Sequence, residues 1–138
     1  MLVSTRGRYA LRVLIDLAEN GGDNYIPLKD ISERQDISKK YLESIMSLLS
    51  KGGLVDAAPG KSGGYRLNRE ASEYTAGEVL RLTEGNLAPV NCVGEGATCC
   101  ERAAGCKTLP LWNELNDVVN DFLDGVTLDR LAGREGEV

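Results

Sequence analysis

Apolar residues recur at helical spacing between positions 5 and 20, where Tyr9, Ala10, Val13, Leu14, Leu17 and Ala18 share one face of a 3.6-residue period. Leu11 and Ile15 add a second apolar side, so the pattern predicts a helix packed on more than one neighbour. The breakers Asn20-Gly21-Gly22-Asp23-Asn24 end it, and Pro27 opens a short second helix over 28–34. Asp36-Ile37-Ser38 leaves room only for a tight turn, with Ser38 placed to cap a third helix that runs to about Lys51. Leu42, Ile45 and Leu49 give that third helix a narrow apolar stripe. Its opposite face carries Lys39, Lys40, Glu43, Ser44 and Ser47, all able to hydrogen-bond outward.

Two short helices joined tightly, the second with a narrow buried stripe and a polar outer face, form the pattern of a helix-turn-helix whose second helix enters a DNA major groove. The same pattern occurs in plain helical hairpins, where Lys39 and Lys40 are a solvated helix start. The next segment favours the first reading. Gly52-Gly53 closes the helix, Leu54-Val55 begins a strand, Pro59-Gly60-Lys61-Ser62-Gly63-Gly64 turns, and Tyr65-Arg66-Leu67 returns. The expected fold is therefore mainly α, a winged helix-turn-helix with a small β-hairpin wing. Lys61, between glycines at the hairpin tip, suits close approach to a phosphate backbone or minor groove. Read blandly, Lys61 and Arg66 are ordinary surface charges.

Past the wing, Thr75 and Glu78 have capping-box spacing, and Val79, Leu80 and Leu82 continue a fourth helix to about Gly85. A long helix is predicted over 109–123, with Leu111, Trp112, Leu115, Val118, Val119, Phe122 and Leu123 apolar. That stripe is wider than a small winged core requires, and it predicts a symmetric dimer built on helix pairing. A short helix over 127–134 and a frayed Gly-Glu-Val end complete the chain.

At 138 residues, with 42% hydrophobic and 27% charged residues, the chain has the size and make-up of one globular domain. It contains no apolar run of about 18 residues and opens without a secretory signal, so a cytosolic location is expected. The net charge of −5 is unevenly spread. Residues 1–70 hold 11 Lys and Arg against 9 Asp and Glu, whereas residues 71–138 hold 5 against 12. A basic surface for nucleic acid can form only in the first half, where Arg6, Arg8, Lys39, Lys40, Lys51, Lys61 and Arg66 lie. Histidine is absent. That removes Ser-His-Asp and Cys-His catalysis, and no Gly-rich phosphate motif follows a strand, so an enzyme is not expected.

All 4 cysteines, Cys92, Cys99, Cys100 and Cys106, fall within 15 residues in a C-x6-C-C-x5-C spacing relieved by Gly94, Gly96 and Gly105. Cysteines serving a core would be scattered. Crowded thiolates in a glycine-containing loop are arranged to converge on something, because a cytosolic protein makes little use of structural disulfides. Three readings stand on the residues: an iron-sulfur cluster, a zinc site of irregular spacing, or a thiol switch using the adjacent Cys99 and Cys100. A small electron-transfer protein would use such a cluster too, but it has no need of a helix-turn-helix or a wing.

Several segments together resemble the winged-helix transcription regulators of the IscR, NsrR and CymR family. They are Ser4-Thr5-Arg6-Gly7-Arg8-Tyr9-Ala10, Ile31-Ser32-Glu33-Arg34-Gln35, Ser38 with Tyr41-Leu42-Glu43, Gly53-Leu54-Val55, Gly63-Gly64-Tyr65, Ala76-Gly77-Glu78-Val79 and Leu111-Trp112. The resemblance covers nearly the whole length. It implies a homodimer on operator DNA, divided into a DNA-binding region (1–85), a cluster loop (86–108) and a dimerisation helix with its tail (109–138). The contacts it implies to DNA are Arg6, Arg8, Ser38, Lys39, Lys40, Tyr41, Glu43, Ser44, Lys51, Lys61 and Arg66. CymR-like members lack the cysteine loop, so the likeness is to the IscR type, which holds a 2Fe-2S cluster on three cysteines. Cys92, Cys100 and Cys106 align best with those ligands, leaving Cys99 as the extra one.

The chain departs from the family pattern at several positions. Where IscR-like members offer a histidine as fourth ligand this chain has Leu109, and where NsrR-like members have an acidic residue it has Arg8. The fourth ligand is thus open among Cys99, Glu43, Glu101 and a small molecule. In the wing, Pro59 stands where an arginine often precedes the glycine, and Lys61 is positioned to supply that charge.

Overall fold

The structure is a computed structural model that describes residues 3–98 and 101–133. Helix α1 (Thr5–Asn20) is the spine of the fold, and every other helix but α5 packs directly against it. Ser4 caps it by accepting the Gly7 amide at 3.0 Å. Ala10, Val13, Leu14 and Leu17 are fully buried, and burial of each Val or Leu contributes about 1.5–3 kcal/mol. Leu11 and Ile15 pack on the same core from the side, as the two-sided pattern predicts.

Helices α2 (Leu28–Gln35) and α3 (Lys39–Lys51) follow, and α3 buries Met46 in addition to Leu42, Ile45 and Leu49. The α1–α2 seam contains a buried charge. Asp16 is 2% exposed, and its carboxylate accepts from Arg34 Nε and Nη2 at 2.9 and 2.8 Å and from Gln35 Nε2 at 2.9 Å. Hydrogen bonding to Asp16 raises the Arg34 pKa above its ordinary value.

Strands β1 (Val55–Ala58) and β2 (Gly64–Leu67) form the wing, with Val55 opposite Leu67 and Ala58 opposite Gly64. Ile26, ahead of α2, adds a single bridge to Tyr65, its amide donating at 2.8 Å and its carbonyl accepting at 2.9 Å. That bridge explains Gly64. Its φ of +146° is one that side chains rarely adopt, and a Cβ there would strike the Ile26 carbonyl.

Tyr74 ties the wing base to the rest. It is fully buried, and its hydroxyl donates to the Leu54 carbonyl at 2.7 Å while accepting the Asn68 amide at 3.0 Å. Helix α4 (Ala76–Glu84) starts at Thr75, whose hydroxyl accepts the Glu78 amide at 3.1 Å. The return half of the expected capping box is not made, because Arg69 holds the Glu78 carboxylate at 3.0 and 3.2 Å. A reciprocal box forms instead between Glu70 and Glu73, around a short 3-10 turn.

Helix α5 (Leu109–Asp124) lies against α4 and buries none of its residues. Arg81 joins the two, donating to Asp124 at 2.8 and 2.9 Å and to Asn120 at 2.7 Å. The last helix, α6, is one turn (Leu128–Leu131) and shorter than the 127–134 expected, since Ala132 is already extended and Gly133 has φ +77°. Arg134 and the Gly-Glu-Val end lie outside the described residues. Leu128 is fully buried in the same core as α1, and its amide donates to the Tyr74 carbonyl at 3.1 Å. Among the described residues, no helix is long and apolar enough to cross a membrane.

Candidate nucleic-acid interface and cysteine segment

The α2–α3 junction is fixed by local chemistry. Asp36 adopts a left-handed conformation at φ 53°, the buried Ile37 follows, and the Ser38 hydroxyl accepts the Tyr41 amide at 3.2 Å. The turn leaves Ser38, Lys39, Lys40, Glu43 and Ser44 exposed together at the start of α3, and Lys51 exposed at its end. Tyr41 differs from them. It is partly buried, its ring meeting Tyr9 edge-on at 5.8 Å, so it braces α3 against α1. Behind that pair stands Arg12, which sequence reasoning missed. Its guanidinium covers the Tyr9 ring at 4.9 Å and bonds the side chain and carbonyl of Gln35, locking α1 to the end of α2. An arginine set between Leu11 and Val13 carries no pattern that distinguishes it from a solvated one.

Arg6 and Arg8 are exposed on the first turns of α1, and Arg8 Nη2 donates to the Thr5 hydroxyl at 3.0 Å. Lys61 is exposed at the wing tip. Arg66 is turned to the wing base, with its guanidinium over the Tyr25 ring at 4.4 Å, a bond to the Asp23 carbonyl at 3.2 Å and Asp56 at 3.9 Å.

The cysteine segment leaves α4 through Gly85 and is anchored by two buried side chains, Leu87 and Val93. Asn86 closes the loop between them, donating to the Glu95 carbonyl at 3.0 Å and accepting the Ala88 amide at 2.5 Å. Cys92 and Cys106 are free thiols, each partly exposed, while Cys99 and Cys100 lie outside the described residues. Cys106 sits just before α5. Hydrogen bonds from the Thr108 hydroxyl at 3.4 Å and from the backbone of Thr108 and Leu109 hold its thiol below the ordinary cysteine range. Glu101 is exposed nearby, whereas Glu43 belongs to the α3 surface. Among the described residues no three thiol or carboxylate groups are grouped as a metal site. The donor set as chemistry is soft: accessible thiols, one of them acidified, and no imidazole. That set fits a sulfur-ligated group, whether iron-sulfur or zinc.

The class defined by this architecture is a winged helix-turn-helix protein with an appended helix and a cysteine segment between them. Comparison with known proteins narrows it: a profile described as Rrf2, an iron-dependent transcriptional regulator, matches residues 3–134, and the chain belongs to that family of transcription regulators rather than to any enzyme class. It is 38% identical to the HTH-type transcriptional regulator IscR of Escherichia coli strain K12 / DH10B over 135 residues, covering 98% of this chain and 82% of that one. Among solved structures it is similar to CymR (YrzC), the global cysteine regulator of B. subtilis, at 37% identity and a TM-score of 0.76, with 96% of each chain covered. T. potens IscR superposes with a TM-score of 0.73 at 31% identity, covering 95% of this chain and 85% of that one.

Proposed function

We propose that this chain acts as a homodimer on operator DNA, with its affinity or site choice set by a 2Fe-2S cluster held on Cys92, Cys100 and Cys106. The observation that carries this reading is placement. Every cysteine of the chain lies in the segment that leads from the winged unit (1–85) through 86–108 to α5, so whatever the thiols bind is joined covalently to both the DNA-reading and the pairing elements. When bound, the cluster supplies a redox-sensitive, sulfur-ligated crosslink across the loop.

The chain's own residues account for the rest. Arg6, Arg8, Lys39, Lys40, Lys51 and Lys61 offer charge to phosphates, and Ser38 and Ser44 offer hydroxyls. Glu43 is a discriminator, since a carboxylate accepts from cytosine N4 and repels edges that present only acceptors. Tyr41 and Arg66 support α3 and the wing from behind. Pairing is assigned to α5, where Leu111, Leu115, Val118 and Phe122 are 53, 38, 64 and 61% exposed, too large an apolar stripe to leave in water.

A second reading, a thiol switch without a cluster, draws on the acidified Cys106 and on the likeness to CymR, including a Staphylococcus aureus CymR solved in an oxidized form at 35% identity and a TM-score of 0.74. One preparation separates them. Protein purified without oxygen is expected to show visible absorbance with iron and sulfide in equal amounts, lost on Cys92→Ala, Cys100→Ala or Cys106→Ala and kept on Cys99→Ala. Colourless protein carrying zinc, or no metal, overturns the cluster. The same preparation should retard a duplex from its own promoter region, with a salt slope of several units.

A further inference from the structure

Glu84 is the last residue of α4 and the last before the cysteine segment, yet its carboxylate reaches back 80 residues to the start of α1. Its Oε1 accepts from the Ser4 hydroxyl at 2.5 Å and from the Ser4 amide at 3.2 Å. The same Ser4 oxygen accepts the Gly7 amide that begins α1. A hydroxyl that donates to a carboxylate becomes a better acceptor, so the charge on Glu84 strengthens the bond from Gly7 to the Ser4 cap. Gly7 leaves room for this approach, since a Cβ there would meet Glu84 Oε1 and lie 3.0 Å from Thr83 Oγ1. The first turn so fixed carries Arg6 and Arg8, and Arg8 is steadied by Thr5 within that turn. On the other side of Glu84 the chain runs through Gly85 to Asn86, which grips Glu95 and thereby closes the loop holding Cys92 and the buried Val93.

From this unbroken path we infer that Glu84 is the positioning residue through which the cysteine segment acts on DNA: it sets the α1 amino-terminal turn, and with it the placement of Arg6 and Arg8 on the phosphate backbone. The inference rests on the DNA-binding and cluster readings above and assigns them a route. Movement of the loop at Asn86 and Gly85 shifts the carboxylate, the Ser4 cap loosens or tightens, and two cations per protomer change their register on the backbone.

The test uses the full chain and a duplex from its own promoter region across a salt series, in protein kept without oxygen and in the same protein after chelation. Glu84→Ala is expected to weaken binding about three- to tenfold and to lower the salt slope by about 1 to 2 units, the signature of lost phosphate contacts. Adding Arg8→Ala to Glu84→Ala should cost little more, because the two act through one contact, and the affinity difference between loaded and chelated protein should shrink. Amide exchange at Gly7 should quicken in Glu84→Ala and should differ between the two states of the wild type. If Glu84→Ala fails to fold by thermal melting, Glu84→Gln replaces it, with the same changes expected at smaller size. An unchanged slope with multiplicative Glu84 and Arg8 effects overturns the inference and leaves DNA binding intact. Wild-type protein that retards no duplex at low salt overturns the DNA-binding reading instead.

Discussion

Helices α3 and α5 each carry an apolar stripe, narrow in α3 and wide in α5, and the fates of the two differ. In α3, Leu42, Ile45, Met46 and Leu49 are all fully buried against α1, α2 and the wing. In α5, no residue is buried, and Leu111, Leu115, Val118 and Phe122 face outward. An amphipathic pattern records that a face must leave water, not what covers it. For α3 the cover is this chain's own core. For α5 the cover is assigned to a second copy, and the contrast can be broken by experiment.

The largest effect is expected in α3. Leu49→Ala should cost about 2–5 kcal/mol of stability, read by urea unfolding, because the cavity it leaves is walled by an already packed core. A loss under about 1 kcal/mol would mean that α3 is not seated as described. Phe122→Asp, by contrast, should leave monomer stability nearly untouched while converting a dimer to a monomer in sedimentation. It should weaken binding to a two-half-site duplex about a hundredfold, since the second half-site is then no longer engaged at high effective concentration. Persistence of the dimer in Phe122→Asp would move the pairing surface elsewhere.

A smaller effect belongs to the exposed side of α3. Glu43→Ala should relax discrimination between operator and scrambled duplex by about 1 to 3 kcal/mol per half-site, with little change in stability. Equal shifts on both duplexes would reduce Glu43 to a solvated helix residue.

The smallest concerns the attachment of α5 to α4. Hydrogen bonding from Arg81 lowers the Asp124 pKa from its ordinary value. The pair therefore stabilises the fold above the normal carboxylate range and loses that contribution as pH falls through the lowered folded value. Both side chains are well exposed, so solvent and salt screen it to about 0.2–1 kcal/mol. Arg81→Met should flatten the acid limb of stability by that amount and leave stability at neutral pH nearly level with the mutant's own plateau in high salt.

The local elements were readable because their determinants are local. Breakers, caps and periodicity place α1 at 5–20, the turn at Asp36-Ile37-Ser38 and the hairpin around Lys61, and the structure has each there. What misled was competition from distant residues. Glu78 has the spacing to close a box on Thr75, but Arg69, nine positions back, holds its carboxylate. Arg66 reads as an unpartnered wing cation, and Tyr25 and Asp23, 41 and 43 positions away, give its guanidinium partners on the surface. Within the candidate site, the exposed row at the start of α3 follows from one helical period, whereas the bracing of Tyr41 by Tyr9, and of Tyr9 by Arg12, follows from none.

By itself the sequence determined the element order, the helix-turn-helix, the wing and the gathering of all thiols into one segment, because each depends on neighbours within a turn or a hairpin. Tertiary structure alone decided that Leu128 returns to the α1 core, that Asp16 is buried beneath Arg34 and Gln35, and that Glu84 closes on Ser4. Those contacts join residues 18 positions apart at Asp16 and Arg34, 80 apart at Ser4 and Glu84, and farther still at Leu128 and α1, and their partners are chosen by which surfaces remain open once the local elements have packed.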